Sequence, residues 1–266
     1  MQPLNILTIA GTDPSGGAGI QADIKTISAL KAYSASIITA IVAQNTCSVQ
    51  SILPLDSKLV LTQLNSVLND VEIHSCKIGM VGNSKTIKCI SKRLEETKLS
   101  CIVLDTVMYT KNGFPLLSKN SIKTLINYLI PISSIITPNL LEASILLNCR
   151  IAQCEEDMQI QGRKLLKLGS KAVLLKGGHL NNINCPDWLF TNKIEKRFFS
   201  KKIDTLNTHG TGCCLSSALA TIKPNYKNWI DAIKKAKNWL QGAILNSKKL
   251  SVGKGRGPIH HFYEWW

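Results

Sequence analysis

The strongest constraint on this chain is the alternation of short, nearly uninterrupted apolar runs with segments of helical period. Leu4 to Ala10 is the first such run. Ile20, Ile24, Ile27 and Leu30 follow at the spacing of one helix face, and Ser36 to Ala43 reads as the next strand. The rhythm continues with Leu59, Leu61, Leu64, Val67 and Leu68 on a helix, a short strand at Lys77-Ile78, a helix over 86–94 and a strand over 101–105. Helices around 122–129 and 155–168 each lead to a further strand, at 134–137 and 172–176. Strands that are apolar on both faces must be covered on both faces. The pattern therefore predicts an α/β fold, a three-layer α/β/α arrangement around a mostly parallel central sheet. Residues 188–190 and 196–200 read as an edge hairpin, and helices over 212–222 and 229–247 close the fold.

With 266 residues, 44% of them hydrophobic, residues 1–266 are expected to form a single domain. The first apolar run lacks a basic preamble and passes directly into Gly11-Thr12-Asp13-Pro14-Ser15-Gly16-Gly17, so it reads as part of the fold and not as an export signal. No apolar stretch approaches the roughly 18 residues that a membrane span needs. Nine cysteines lie scattered without the spacing of a zinc site or a disulfide framework, which fits reduced thiols and a cytoplasmic location. The formal charge of +15 raises nucleic-acid binding as an alternative. The excess is mostly Lys in scattered pairs such as Lys201-Lys202 and Lys234-Lys235, with few Arg and little aromatic interleaving. A solvated surface is the better reading, with no nucleic-acid partner.

In such sheets ligands bind at the carboxyl ends of the strands, and there the polar clusters fall: Gly11 to Gly19, Gln44-Asn45-Thr46, Gly79-Met80, Asp105-Thr106, Thr137-Pro138-Asn139 and Lys176-Gly177-Gly178-His179. The first loop matches neither a dinucleotide fingerprint nor a P-loop. In Thr208-His209-Gly210-Thr211-Gly212-Cys213, glycines at a helix start would expose several backbone N–H groups that the helix dipole reinforces, making a nest for an anion. If that anion is a phosphoryl group in transfer, Gly210, Thr211 and Gly212 stabilise its developing charge. The same field should lower the pKa of Cys213 and make it a proton acceptor, while Cys214, turned about 100° away, is assigned to packing. Asn139 and Glu142, three residues apart, put an amide and a carboxylate on one face of a helix start, where they could hold magnesium or its waters, or simply open the helix. Lys176 could neutralise a nucleotide phosphate.

These ordered segments, together with Ala10 to Asp23, Lys77-Ile78-Gly79-Met80, Val103 to Met108 and Gly255-Arg256-Gly257-Pro258, resemble the hydroxymethylpyrimidine/phosphomethylpyrimidine kinases of thiamine biosynthesis, in the ribokinase-like superfamily. The resemblance covers essentially the whole chain. It implies that Gly11, Asp23, Gln44, Met80 and Val107 line a pyrimidine pocket, with Gln44 reading the ring and its amino group. It implies that Asp105, Asn139, Glu142 and Lys176 serve ATP and Mg2+, and that Gly210, Thr211, Gly212 and Cys213 form the anion hole and base. It further implies two successive phosphorylations, giving first a monophosphate and then a diphosphate, and a homodimer. A pyridoxal or pyridoxine kinase is the enzymatic alternative; a basic nucleic-acid or ligand-binding protein is the non-enzymatic one. Asn112 stands where the family has Ser, and Cys47 and Cys214 also replace other family residues.

Overall fold

The computed structural model describes residues 2–109, 113, 115–178, 180 and 184–266. Along the chain, β1 (Asn5–Ala10), α1 (Gly19–Ala29), β2 (Tyr33–Ile38), β3 (Ala40–Gln44) and β4 (Val49–Pro54) are followed by α2 (Ser57–Leu68), β5 (Ser75–Ile78), α3 (Ser84–Thr97) and β6 (Ile102–Leu104). Then come α4 (Lys119–Thr124), which runs through a π-helical turn at Leu125–Leu129 into α5 (Ile130–Ile132), and β7 (Ile135–Ile136). The remainder comprises α6 (Leu140–Leu147), α7 (Glu155–Leu166), β8 (Ala172–Lys176), the hairpin β9 (Asn184–Thr191) and β10 (Glu195–Lys201), α8 (Thr211–Ile222) and α9 (Trp229–Leu245).

Eight strands form one sheet in the order β10-β9-β8-β7-β6-β5-β1-β2. The pairings from β8 through β7, β6, β5 and β1 to β2 are parallel, and the two pairings at the other edge, β8 with β9 and β9 with β10, are antiparallel. The two-residue period of each strand divides its apolar residues between two cores. Leu7, Ile9, Leu104, Val173 and Leu175 face the core built with α2, α3, α6 and α7. Ile6, Val103, Ala172 and Leu174 face the other, built with α1, α8 and α9. This is the expected three-layer α/β/α architecture with a mostly parallel sheet, and the parallel strands bring their carboxyl ends to one edge.

One expected strand is two. The run Ser36 to Ala43 breaks at Thr39: β2 stays beside β1 as far as Ile38, and β3 leaves to pair antiparallel with β4 in a separate two-stranded ribbon. The cause lies in β1, which gives way to the Gly11 loop after Ala10 and offers no further ladder. Thr39 marks the departure, donating its backbone N–H to Ala10 O at 3.0 Å and its hydroxyl to Met80 O at 2.5 Å. β3 alternates buried Ala40 and Val42 with exposed Ile41 and Ala43, a half-buried strand, not a core strand. Gln44 therefore ends a ribbon strand and not a strand of the main sheet.

The two layers close tightly at Gly162 on α7. A Cβ there would stand 2.0 Å from Cε2 of Phe190, a ring on β9 with no solvent exposure and no room to yield. Gly162→Ala is therefore expected to cost about 1–3 kcal/mol in denaturant unfolding. Gly178→Ala, where nothing lies within 4 Å, should leave stability within about 0.5 kcal/mol of the parent. Equal stability of the two variants would contradict this packing.

Candidate active site

The α8 start is shaped by a contact that tolerates no side chain. Gly210, the N-cap, has φ 74°, and a Cβ on it would lie 1.8 Å from Gly17 O. Glycine meets both demands at once. The helix then begins at Thr211, whose N–H reaches back to Thr208 O at 3.5 Å, and the next amide to bond back is Cys214 N, to Gly210 O at 2.9 Å. Among the described residues, the N–H groups of Gly212 and Cys213 have no acceptor. Two donors at the positive end of a twelve-residue helix make an anion site.

Asp105, Lys176 and α6 converge on this turn. A Cβ at Gly212 would be 3.6 Å from Lys176 Nζ and 3.7 Å from Asp105 Oδ2, so both charged groups border the open amides. Lys176 Nζ is 3.4 Å from Asp105 Oδ1. Thr137 Oγ1 and Ser216 Oγ also donate to the Asp105 carboxylate, at 3.3 and 3.4 Å. Burial works against the Lys176 ammonium, yet Asp105 and Glu142 beside it hold its pKa above the ordinary lysine value. Asn139 and Glu142 form a reciprocal capping box: Asn139 Oδ1 accepts from Glu142 N and Glu142 Oε2 accepts from Asn139 N, each at 2.9 Å. Glu142 Oε2 also accepts from Thr106 Oγ1 at 3.1 Å. Burial pushes the Glu142 carboxyl up to about 7, against the opposing pull of Lys176. Its negative charge is thus under-compensated, a surrounding that a cation would relieve.

Cys213 departs from expectation. It is half-buried, and burial pushes its thiol up to about 11, despite the nearby Lys77 charge and a hydrogen bond from Gly19 N–H; Asp23 and Asp105 add to the rise. Desolvation of the thiolate outweighs the helix field that was expected to lower it. Cys214 is fully buried, with its sulfur 3.2 Å from His261 Nε2.

Asp23, expected on the pocket wall, is fully buried beneath it. Its carboxylate accepts from Lys77 Nζ at 2.8 and 2.7 Å, from Thr8 Oγ1 at 2.6 Å and from Ser217 Oγ at 2.7 Å. Burial is the largest single influence on Lys77 and disfavours its charge, but Asp23, by charge and hydrogen bond, together with Cys213 and Asp105 outweighs it, so the pKa is raised and Lys77 stays an ammonium. Of the other pocket candidates, Gly11 and Met80 do meet: a Cβ on Gly11 would strike Met80 Cε at 2.6 Å. Gln44 and Val107 are half-buried at the carboxyl ends of β3 and of the segment after β6. Lys111, Asn112, Phe114 and His179 lie outside the described residues.

Sequence reading missed Asp13 and His209 as a pair. His209 Nε2 is 2.7 Å from Asp13 Oδ2, while Asp13 Oδ1 accepts from Ser15 N and Oγ and Oδ2 also from Ala18 N. Burial acts to raise the Asp13 pKa, but these bonds hold it well below the usual carboxylate range. The signal was present in two polar residues flanked by glycines, but nothing in linear spacing joins positions 196 residues apart. Lys77 was visible as a charge inside an apolar strand, which demands a buried partner.

Glu142 supplies a pH test. Its folded-state pKa is raised, so its contribution to stability is complete in acid and is lost as pH rises through about 7. Glu142→Gln keeps both oxygen-accepted bonds of the cap but removes the charge. The ligand-free variant should gain stability over the parent as pH goes from about 4.5 to 7, by on the order of a few kcal/mol, and hold that gain above. A stability difference that does not change with pH would refute the buried-charge assignment.

Comparison with known proteins identifies the family. Residues 13–260 match the family model described as phosphomethylpyrimidine kinase. The chain is 52% identical, over the full length of both, to the hydroxymethylpyrimidine/phosphomethylpyrimidine kinase of Salmonella typhimurium. Among solved structures it resembles phosphomethylpyrimidine kinase from Clostridium difficile, with a TM-score of 0.81 and 38% identity over 91% of this chain and 99% of that one. It also resembles an ADP complex of Bacillus subtilis pyridoxal kinase, with a TM-score of 0.90 and 32% identity over 98% of each chain. A full-length sequence match and a shared fold together establish that the chain belongs to the phosphomethylpyrimidine kinase family.

Proposed function

We propose that this chain phosphorylates 4-amino-5-hydroxymethyl-2-methylpyrimidine at its hydroxymethyl oxygen and then phosphorylates the monophosphate to the diphosphate, using ATP, as part of thiamine diphosphate biosynthesis. The observation that carries the reading is the pair of unbonded amides at Gly212 and Cys213, bordered by Lys176 and Asp105. Phosphoryl transfer needs little covalent help from a protein; it needs donors aimed at the equatorial oxygens and charge beside the leaving phosphate. Gly210 to Cys213 supply the first, and Lys176 supplies the second. Gln44 offers both a donor and an acceptor, the complement of an aminopyrimidine edge, with Gly11, Met80 and Val107 enclosing the ring.

No group of three or more His, Cys, Asp or Glu among the described residues could hold a metal alone. Asn139 and Glu142 nevertheless fit Mg2+ shared with phosphate oxygens and waters, because Glu142 is a buried carboxylate short of positive charge. Bound there, the ion would supply positive charge to the nucleotide phosphates. The nine free cysteines support a cytoplasmic setting. A homodimer is supported by the exposed Ile41 and Leu53 of the β3–β4 ribbon. No helix of the described residues is long and apolar enough to cross a membrane.

Only the first transfer takes a proton from an alcohol, since a phosphate acceptor is already ionised near neutral pH. Cys213→Ala should therefore slow alcohol phosphorylation about 100-fold or more in single turnovers and spare the monophosphate step to within about tenfold. Equal losses would make Cys213 a positioning residue. With the thiol near 11, its thiolate fraction grows about tenfold per pH unit. The alcohol step should thus climb with pH from about 7 to 9 while the monophosphate step stays nearly level. Substrate identity is tested by presenting the aminopyrimidine alcohol, its monophosphate and pyridoxal in parallel coupled assays. Turnover of pyridoxal alone would overturn the proposed reaction.

A further inference from the structure

Beneath α8, joined to it through Ser217, lies a fully buried ion pair that the phosphoryl-transfer machinery does not use. Lys77 is the third residue of β5 and Asp23 lies on α1, and neither side chain has any solvent exposure. Burying two charges is costly, and an apolar pair of the same shape would often serve stability as well. Its position suggests another use. Ser217, which donates to Asp23, is one helical turn after Cys213 on α8, so the face that carries the thiol also rests on the pair. A Cβ on Gly79 would lie 2.7 Å from Lys77 Nζ, which places the ammonium directly under the turn leading to Met80.

The hydrogen-bond inventory assigns the two members different tasks. Asp23 accepts four bonds, two on each oxygen, which fills a carboxylate's ordinary capacity. It is an anchor with no room for a further donor. Lys77 has three N–H donors and gives two to Asp23. Its charge and that of Cys213 act on each other. The other groups facing the thiol are Asp23 and Asp105, which disfavour its ionisation, the Gly19 N–H, which favours it, and Lys176 beyond Gly212. Lys77 is the cation among them that lies deepest, where low dielectric makes a charge most effective.

We propose that the buried Lys77–Asp23 pair is a positioning element for the Cys213 thiolate: Lys77 provides its counter-charge from beneath the site, and Asp23 holds that ammonium charged and in place. The inference rests on the reading of Cys213 as the base of the alcohol step. When the thiolate takes the hydroxyl proton, the Cys213 sulfur returns to the neutral thiol, and Lys77 keeps its proton throughout. Lys77 is thereby distinguished from Lys176, which faces the phosphates.

Lys77→Met alone would strand Asp23 as an unpaired buried charge, so Lys77→Met and Asp23→Asn are combined, removing both charges and keeping the shape. The probe is iodoacetamide on the intact, ligand-free protein at about pH 8.5, with alkylation of the peptide bearing Cys213 and Cys214 followed by mass spectrometry. Cys213→Ala serves to subtract any reaction at Cys214. The double variant should be alkylated about threefold or more slowly than the parent, because losing the favourable Lys77 charge outweighs losing the unfavourable Asp23 charge. A rate equal to or faster than the parent's overturns the proposal. The same variant should lose about threefold or more in single-turnover alcohol phosphorylation while the monophosphate step changes less. Slower alkylation with both transfers reduced alike would uphold Lys77 as the counter-charge and count against Cys213 as the base.

Discussion

The site depends first on the near-contact of two loops from opposite ends of the chain. Gly17 O presses against Gly210, where even a methyl group would be excluded, and Asp13 grips His209 a few ångströms away. This junction sets the angle at which α8 enters the cleft, and with it the direction of the open amides of Gly212 and Cys213. His209 N is also bonded to Gly257 O, so the last segment of the chain braces the same turn. An anion hole of backbone donors has no rotamers to adjust. Its geometry must be imposed by whatever holds the backbone.

Buried charge is the second constraint, and the chain meets it in three ways. Asp13 is saturated by hydrogen bonds and held ionised. Lys77 and Asp23 neutralise each other in a closed pair. Glu142 is only partly compensated by Lys176 and Asp105 works against it, so it is the group that the proposed cation would complete. Structural carboxylates here are those whose partners are all internal. A functional one can be recognised by the deficit that remains after its internal bonds are counted.

Most of the fold was legible because its information is periodic. β8, α7, α8 and the β9–β10 hairpin fall where apolar spacing put them, to within a few residues. The split at Thr39 was not legible, since a threonine sits comfortably within a strand and the break is decided by where β1 stops, a fact of pairing. The candidate residues at strand ends lie near one another because topology collects them there. Asp23 was misplaced because the helix face it occupies turns inward onto Lys77. Cys213 was misjudged electrostatically: the helix start was visible in sequence, but the depth of the surrounding packing was not, and desolvation was the larger effect.

The departure of β3 from the main sheet separates two tasks physically. Gln44 rides on a ribbon whose ladder bonds are made only with β4, whereas Asp105, Asn139, Lys176 and the α8 turn are fixed to the eight-stranded sheet and its helices. The ribbon meets the rest of the site through the first loop, where Thr12 N donates to Ala40 O at 3.0 Å and Val42 N donates to Thr12 Oγ1 at 2.9 Å. In the proposed reaction, ring recognition can then diverge by drift in one hairpin while the sheet that carries Asp105, Asn139 and Lys176 keeps its frame. A fold divided in this way lends itself to a lineage of kinases that share one phosphate chemistry and differ in the vitamin precursor they accept.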